Sequence, residues 1–117
     1  MRPVSLGGWL LVVWAAGTTC AQAHAHLQAS IPRDGSTLAT APAALVLQFS
    51  EAARLTALWI EKSGAEKQKL TPLPPQPQSR IAMPLPKLAP GEYVVSWRVL
   101  GSDGHVAPGK IRFTLSR

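Results

Sequence analysis

Glu92–Leu100 reads EYVVSWRVL, and this stretch decides the fold class. Every second residue from Tyr93 to Val99 is aromatic or β-branched, and most of the residues between them are polar. Alternation with a period of two places one face of a strand on a core and the other in water. The stretch therefore predicts a half-buried strand, with Tyr93 and Trp97 contributing large rings to the core.

Other runs repeat this alternation, some of them more weakly. They are Leu45–Phe49, Ile111–Leu115, Leu55–Lys62 and Ile81–Leu85. Phe113 falls on the apolar face of its run and is expected in the core. Pro84 lacks an amide hydrogen, which favours an edge strand or a loop for the last run. The sequence leaves Trp59 open between core and surface.

Turn residues separate the runs, at Pro32–Gly35, Ser63–Gly64, Pro90–Gly91 and Asp103–Gly104. The proline-rich segment Thr71–Gln78 is expected to be an extended surface connection, and Lys62–Lys69 a solvated turn. Short strands at regular spacing, without helical periodicity, predict an all-β domain. The expected architecture is a small Greek-key β-sandwich or barrel of immunoglobulin-like or cupredoxin-like form.

The first 23 residues have the pattern of a secretory signal peptide. Arg2 provides the positive start, and Leu6–Gly17 is apolar and uncharged. This run of about 12 residues is shorter than the roughly 20 that a membrane span needs. Ala21–Ala23 matches the small-x-small cleavage pattern. We therefore expect a signal peptide at 1–23 and one domain at 24–117.

The single cysteine, Cys20, lies inside the predicted signal peptide and lacks the residues of a lipobox. The predicted domain can therefore form no disulfide and offers no thiolate ligand. The chain is basic, with a formal net charge of +6, but its cations are dispersed rather than clustered with aromatic residues. This pattern argues against nucleic-acid binding and is typical of a solvated surface with some attraction to anionic membranes.

The three histidines of the chain are the candidate ligands. Cleavage after Ala23 would make His24 the first residue, so that its α-amine and its imidazole Nδ1 could chelate one metal ion. An α-amine, whose ordinary pKa is about 7.7–8.0, loses its proton readily to a metal near neutral pH. Nitrogen ligands in a planar arrangement favour Cu(II).

Asp103 and His105 are two residues apart, and on an extended chain they would project to the same face. One carboxylate and one imidazole could then complete a tetragonal Cu(II) site with His24. The alternative is that Gly101–His105 is only a hairpin turn with a solvated histidine. His26 offers a competing site, because an amino-terminal x-x-His motif binds Cu(II) through the same amine.

Several motifs together resemble the CopC copper-resistance family over nearly all of residues 24–117. They are HAHL at 24–27, SIPRDG at 30–35, LQFSE at 47–51, PGEYVVSWRVLGSDGH at 90–105 and GKIRFTL at 109–115. The resemblance implies a Greek-key β-sandwich that binds Cu(II) in the periplasm. It implies that His24, Asp103 and His105 bind the ion and that Glu51 lies close without binding it. On a strand His24 and His26 point to the same side, so we expect His26 to be an auxiliary group beside the site.

The resemblance implies one Cu(II) per chain. Met83 is the one methionine after the predicted signal peptide, and one thioether cannot make the methionine-rich Cu(I) site of some family members. The implied function is that of a monomeric carrier or buffer in copper resistance, not an enzyme, that delivers copper to a CopD-like membrane transporter. A copper redox enzyme and a metal-free interaction module are the alternatives.

Overall fold

The computed structural model describes residues 25–116, so the predictions for the signal peptide, Cys20 and His24 lie outside the described residues. Within that range the chain forms strands and no helix, and nothing in it could cross a membrane as a helix. The strands are β1 (Leu27–Ile31), β2 (Ser36–Leu38), β3 (Ala44–Lys62), β4 (Gln68–Lys69), β5 (Gln78–Pro84), β6 (Gly91–Leu100) and β7 (Val106–Leu115).

The longest strand, β3, contains 19 residues and joins two runs that the sequence predicted as separate strands. Its first half pairs with β1 and β5, and its second half pairs with β4 and β6. The pairing with β5 is irregular between Gln48 and Ala53, and a second register shift lies between Leu55 and Ala57. The shift between Leu55 and Ala57 changes which positions face the core, since the buried residues are odd-numbered up to Leu55 and even-numbered from Leu58 onward. The alternation therefore appears interrupted although the strand continues.

The strands form one curled sheet around a core, so the all-β sandwich or barrel prediction is confirmed. β6 and β7 pair antiparallel along their whole length, and β2 adds in parallel to the far side of β7. β5 pairs only with β3 and ends at Pro84, which confirms an edge strand there. The short strands β1, β2 and β4 were not predicted, and the solvated turn expected at 62–69 is wrong for Gln68–Lys69, which pairs with β3.

The core contains the aromatic side chains that the alternation placed there. Trp97 meets Phe49 edge to face at 6.3 Å, and Tyr93 stacks on Phe113 at 5.3 Å. Met83 is buried among them and is a packing residue, as predicted. Trp59, which the sequence left open, is half-buried on the outer face of the sheet.

Candidate metal centre

The loop between β6 and β7, Gly101–His105, is a tight turn. The amide of Gly104 donates to the carbonyl of Gly101, and the amide of Gly101 donates to the carbonyl of His105, both at 3.0 Å. Gly104 has a φ of 85°, a conformation that glycine adopts without strain. The hairpin-turn interpretation of this stretch is therefore right for the backbone, and the extended conformation considered for Asp103 and His105 is wrong.

The turn nevertheless brings the two predicted ligands together. Asp103 Oδ1 accepts a hydrogen bond from the amide of His105, and Asp103 Oδ2 lies 3.0 Å from His105 Nδ1. Because an ionised carboxylate can only accept, Nδ1 carries the hydrogen in this contact. A metal bound by His105 would consequently be held at Nε2.

The two side chains differ in exposure. The imidazole of His105 keeps 74% of its accessible surface, whereas the side chain of Asp103 keeps 20%. A largely covered carboxylate behind an exposed imidazole fixes the orientation of the ring, which is a common arrangement around histidine ligands. Asp103 therefore has an orienting contact in this structure, while its binding to a metal stays a prediction.

Glu51 is connected to the same loop. It lies in the irregular region of β3, and its Oε1 accepts a hydrogen bond of 3.1 Å from Ser102 Oγ. This contact brings a second carboxylate to the loop, where the resemblance places it. That Glu51 lies beside the metal without binding it stays a prediction.

His26 is attached to the same region of β3. Its amide donates to Ser50 Oγ at 2.9 Å, and its carbonyl accepts from the amide of Ser50 at 2.8 Å. The preceding residue, Ala25, is buried in the core. The amino-terminal segment is thus held against Ser50, the residue before Glu51. His24 lies outside the described residues and precedes this segment by one residue.

Sequence reasoning did not assign roles to Ser50 and Ser102, although both lie inside motifs that carried the family resemblance. Their hydroxyl groups add side-chain contacts between the amino-terminal segment, β3 and the β6–β7 loop. The available signal was position, because each serine directly precedes a predicted acidic site residue. Spacing alone could not show that these two serines bond to distant parts of the chain.

The chemistry of these donors suits Cu(II) only if a further ligand joins them. Between residues 25 and 116 no three His, Cys, Asp or Glu side chains form a metal-binding group. Asp103 and His105 offer one oxygen and one nitrogen, whereas a tetragonal site needs four donors. An amine and an imidazole from His24 would supply the missing nitrogens.

Comparison with known proteins identifies relatives of the chain. The model of the CopC domain family matches residues 27–116. The protein YobA of Escherichia coli K12 is 33% identical over 98 residues, covering 80% of this chain and 79% of YobA. Copper resistance protein C of Pseudomonas syringae pv. tomato is 33% identical over 122 residues, covering 88% of this chain and 91% of its own.

Solved structures agree with this assignment. The crystal structure of CopC from Methylosinus trichosporium OB3b superimposes with a TM-score of 0.68 and 29% identity, covering 80% of this chain and 94% of that one. PcoC from Escherichia coli, described as a methionine-rich copper resistance protein, gives a TM-score of 0.58 and 29% identity, covering 80% of this chain and 100% of PcoC. The family model and the solved structures therefore assign the chain to the same family.

Proposed function

This chain belongs to the CopC family, and from that premise we propose that it binds copper and acts in copper resistance as a carrier or buffer. The named relatives that support the proposal are copper resistance proteins. The single observation that carries it is the pair formed by Asp103 and His105, in which a covered carboxylate orients an exposed imidazole. An oriented nitrogen donor at the surface can take up and release a metal ion.

The cargo in this proposal is one Cu(II) ion per chain. The amine and the imidazole of His24, His105 Nε2 and a carboxylate oxygen of Asp103 form its ligand set, with Glu51 adding negative charge beside it. Because Nδ1 and Nε2 lie on opposite sides of the imidazole, Asp103 binds this ion only after its carboxylate leaves His105 Nδ1. Such an N3O set fits the tetragonal preference of Cu(II). Met83 is buried in the core, so a thioether site for Cu(I) is not part of the proposal.

The proposed location is the periplasm, which the chain would reach through the predicted signal peptide at 1–23. The proposed recipient of copper is a CopD-like membrane transporter, and the protein is proposed to act as a monomer.

The proposal assigns no catalysis, because a carboxylate from Asp103 would occupy a coordination position that oxygen would need. If the bound Cu(II) resisted reduction by ascorbate, the result would support a carrier. Consumption of oxygen would instead indicate a redox enzyme.

Mass spectrometry of the purified protein, combined with Cu(II) titration against a competing chelator, tests the site. A chain that begins at His24 is expected to bind one Cu(II), and His105→Ala is expected to weaken binding at least about tenfold. His26→Ala is the matched control, because it removes a neighbouring imidazole outside the proposed ligand set. A large loss in His26→Ala with none in His105→Ala would instead identify the amino-terminal x-x-His motif as the site.

Two other results would contradict the proposal. An amino terminus at any residue other than His24 would remove the amine chelate. A protein that begins at His24 but fails to compete with the chelator would be a metal-free interaction module. Electron paramagnetic resonance of the bound Cu(II) provides a second readout, because loss of one nitrogen ligand changes its hyperfine pattern.

A further inference from the structure

A groove crosses the outer face of the sheet, away from the core. It is formed by the second half of β3 together with β6, β7 and Lys67, the residue just before β4, and its volume is about 520 Å³. Trp59 forms part of its floor, and Val94 and Pro108 add further apolar surface. None of the residues that line it is a predicted metal ligand.

Three cations converge on this groove. Lys67 Nζ lies 5.2 Å from the centre of the Trp59 ring, and Arg98 Cζ lies 5.6 Å from it. Lys110 is the third cation. Ser96 pairs with Trp59 on one side and with Lys110 on the other, so Lys110 lies two strands from Trp59 in the same row of the sheet. Contact with an aromatic ring holds a cation in place while its hydrogen-bond donors stay available to an anion.

The positive charge of the groove is not neutralised locally. Within the described residues, no carboxylate lies within 4.0 Å of the charged nitrogens of Lys67, Arg98 or Lys110. Glu61 is the one acidic residue that lines the groove. Three cations against one carboxylate leave a positive field inside a concave surface, where low-dielectric walls strengthen it.

We propose that this groove binds an acidic, extended segment of a partner protein. Neighbouring strands lie about 4.8 Å apart, so a crossing from β4 to β7 spans about 14 Å, or roughly four residues of extended chain. Acidic side chains of such a segment contact Lys67, Arg98 and Lys110, and an apolar side chain packs on Trp59. A flat bilayer would touch only the rim of a concave groove, which favours a peptide over a membrane.

The groove lies near the metal centre, but its existence does not depend on that centre. Arg98 lies three residues before the loop that carries Asp103 and His105. A partner seated in the groove would therefore lie beside that loop. The groove and its charges exist whether or not copper binds, so the two proposals can fail separately.

Binding of a fluorescent oligoglutamate peptide of about six residues, long enough to cross the groove, tests the proposal. The assay uses low salt and contains EDTA, so that copper cannot bridge peptide and protein. We expect saturable binding, and we expect Arg98→Gln/Lys110→Gln to weaken it about tenfold or more. Arg33→Gln/Lys87→Gln is the matched control, because it removes the same charge from exposed positions outside the groove.

Three outcomes would overturn the proposal. Equal losses in the two double variants would mean that only net charge attracts the peptide. Absence of binding at low salt would exclude an acidic segment. Binding of phosphatidylglycerol vesicles that depends on Arg98 and Lys110, without peptide binding, would identify a membrane surface as the ligand. Melting curves of both variants check that each one remains folded.

Discussion

Asp103 holds His105 through two contacts, one to its backbone amide and one to its imidazole Nδ1, each of 3.0 Å. The two residues lie in the same turn, so a single carboxylate determines both the shape of the loop and the direction of the ring. The contact at Nδ1 makes Nε2 the nitrogen that a metal would meet. The preference for one imidazole nitrogen is therefore a property of the folded loop.

Replacing Asp103 with alanine should weaken Cu(II) binding about tenfold to a hundredfold, because the ring loses its orientation. Asp103→Asn keeps an acceptor for the backbone amide but loses the negative charge. If Asp103 is also a ligand, both variants will change the paramagnetic resonance spectrum of bound Cu(II). A weaker affinity with an unchanged spectrum would limit Asp103 to orienting His105.

Replacing Ser102 with alanine should release Glu51 from the β6–β7 loop, because Ser102 Oγ donates to Glu51 Oε1. A neutral donor to an exposed carboxylate contributes about 1 kcal/mol, so Cu(II) affinity should fall by up to about fivefold, the limit reached if the contact matters only in the copper-bound state. Chelator competition measures this change. Ser79→Ala is the matched control, since Ser79 is exposed and its backbone carbonyl, not its hydroxyl, is the group that contacts Gln48. Equal affinities of the two variants would contradict a role for this contact.

Replacing Ser50 with alanine should loosen the segment that precedes β1, because Ser50 Oγ accepts from the amide of His26. Loss of one hydrogen bond of this kind costs about 1 kcal/mol. Hydrogen exchange at the His26 amide should accelerate by about fivefold, while exchange within β6 should stay unchanged. Unchanged exchange at His26 would mean that the remaining contact with the Ser50 amide suffices to hold the segment.

Replacing Gly109 with alanine should destabilise the fold, because a Cβ atom there would lie 2.6 Å from the indole of Trp97. Overpacking of this kind costs about 1–3 kcal/mol in the free energy of unfolding, measured by denaturant titration. The control is the double variant Gly109→Ala/Trp97→Leu, in which the smaller side chain makes room. Additive losses in the double-mutant cycle would show that the two residues do not interact as described.

The strands that are long and half-buried could be predicted from sequence, and the short ones could not. The alternation in β6 and in the later half of β7 gave Tyr93, Trp97 and Phe113 as core residues, which is correct. β4 has only two residues, both exposed, so it leaves no pattern to detect. The continuity of β3 was also missed, because the register shift between Leu55 and Ala57 reverses the alternation without ending the strand.

Local chemistry fixes what residues near one another in sequence can do, and the sequence by itself determined those features. The alternation that buries one face of a strand, the Asp-Gly turn and the pairing of Asp103 with His105 all depend on neighbours within a few positions. Only the tertiary structure decided which distant segments meet this loop. Glu51 reaches it through Ser102, and His26 reaches the residue before Glu51 through Ser50. β3 pairs with β1 in its first half and with β6 in its second, and this path brings the segments together. The spacing of residues along the chain does not reveal that path.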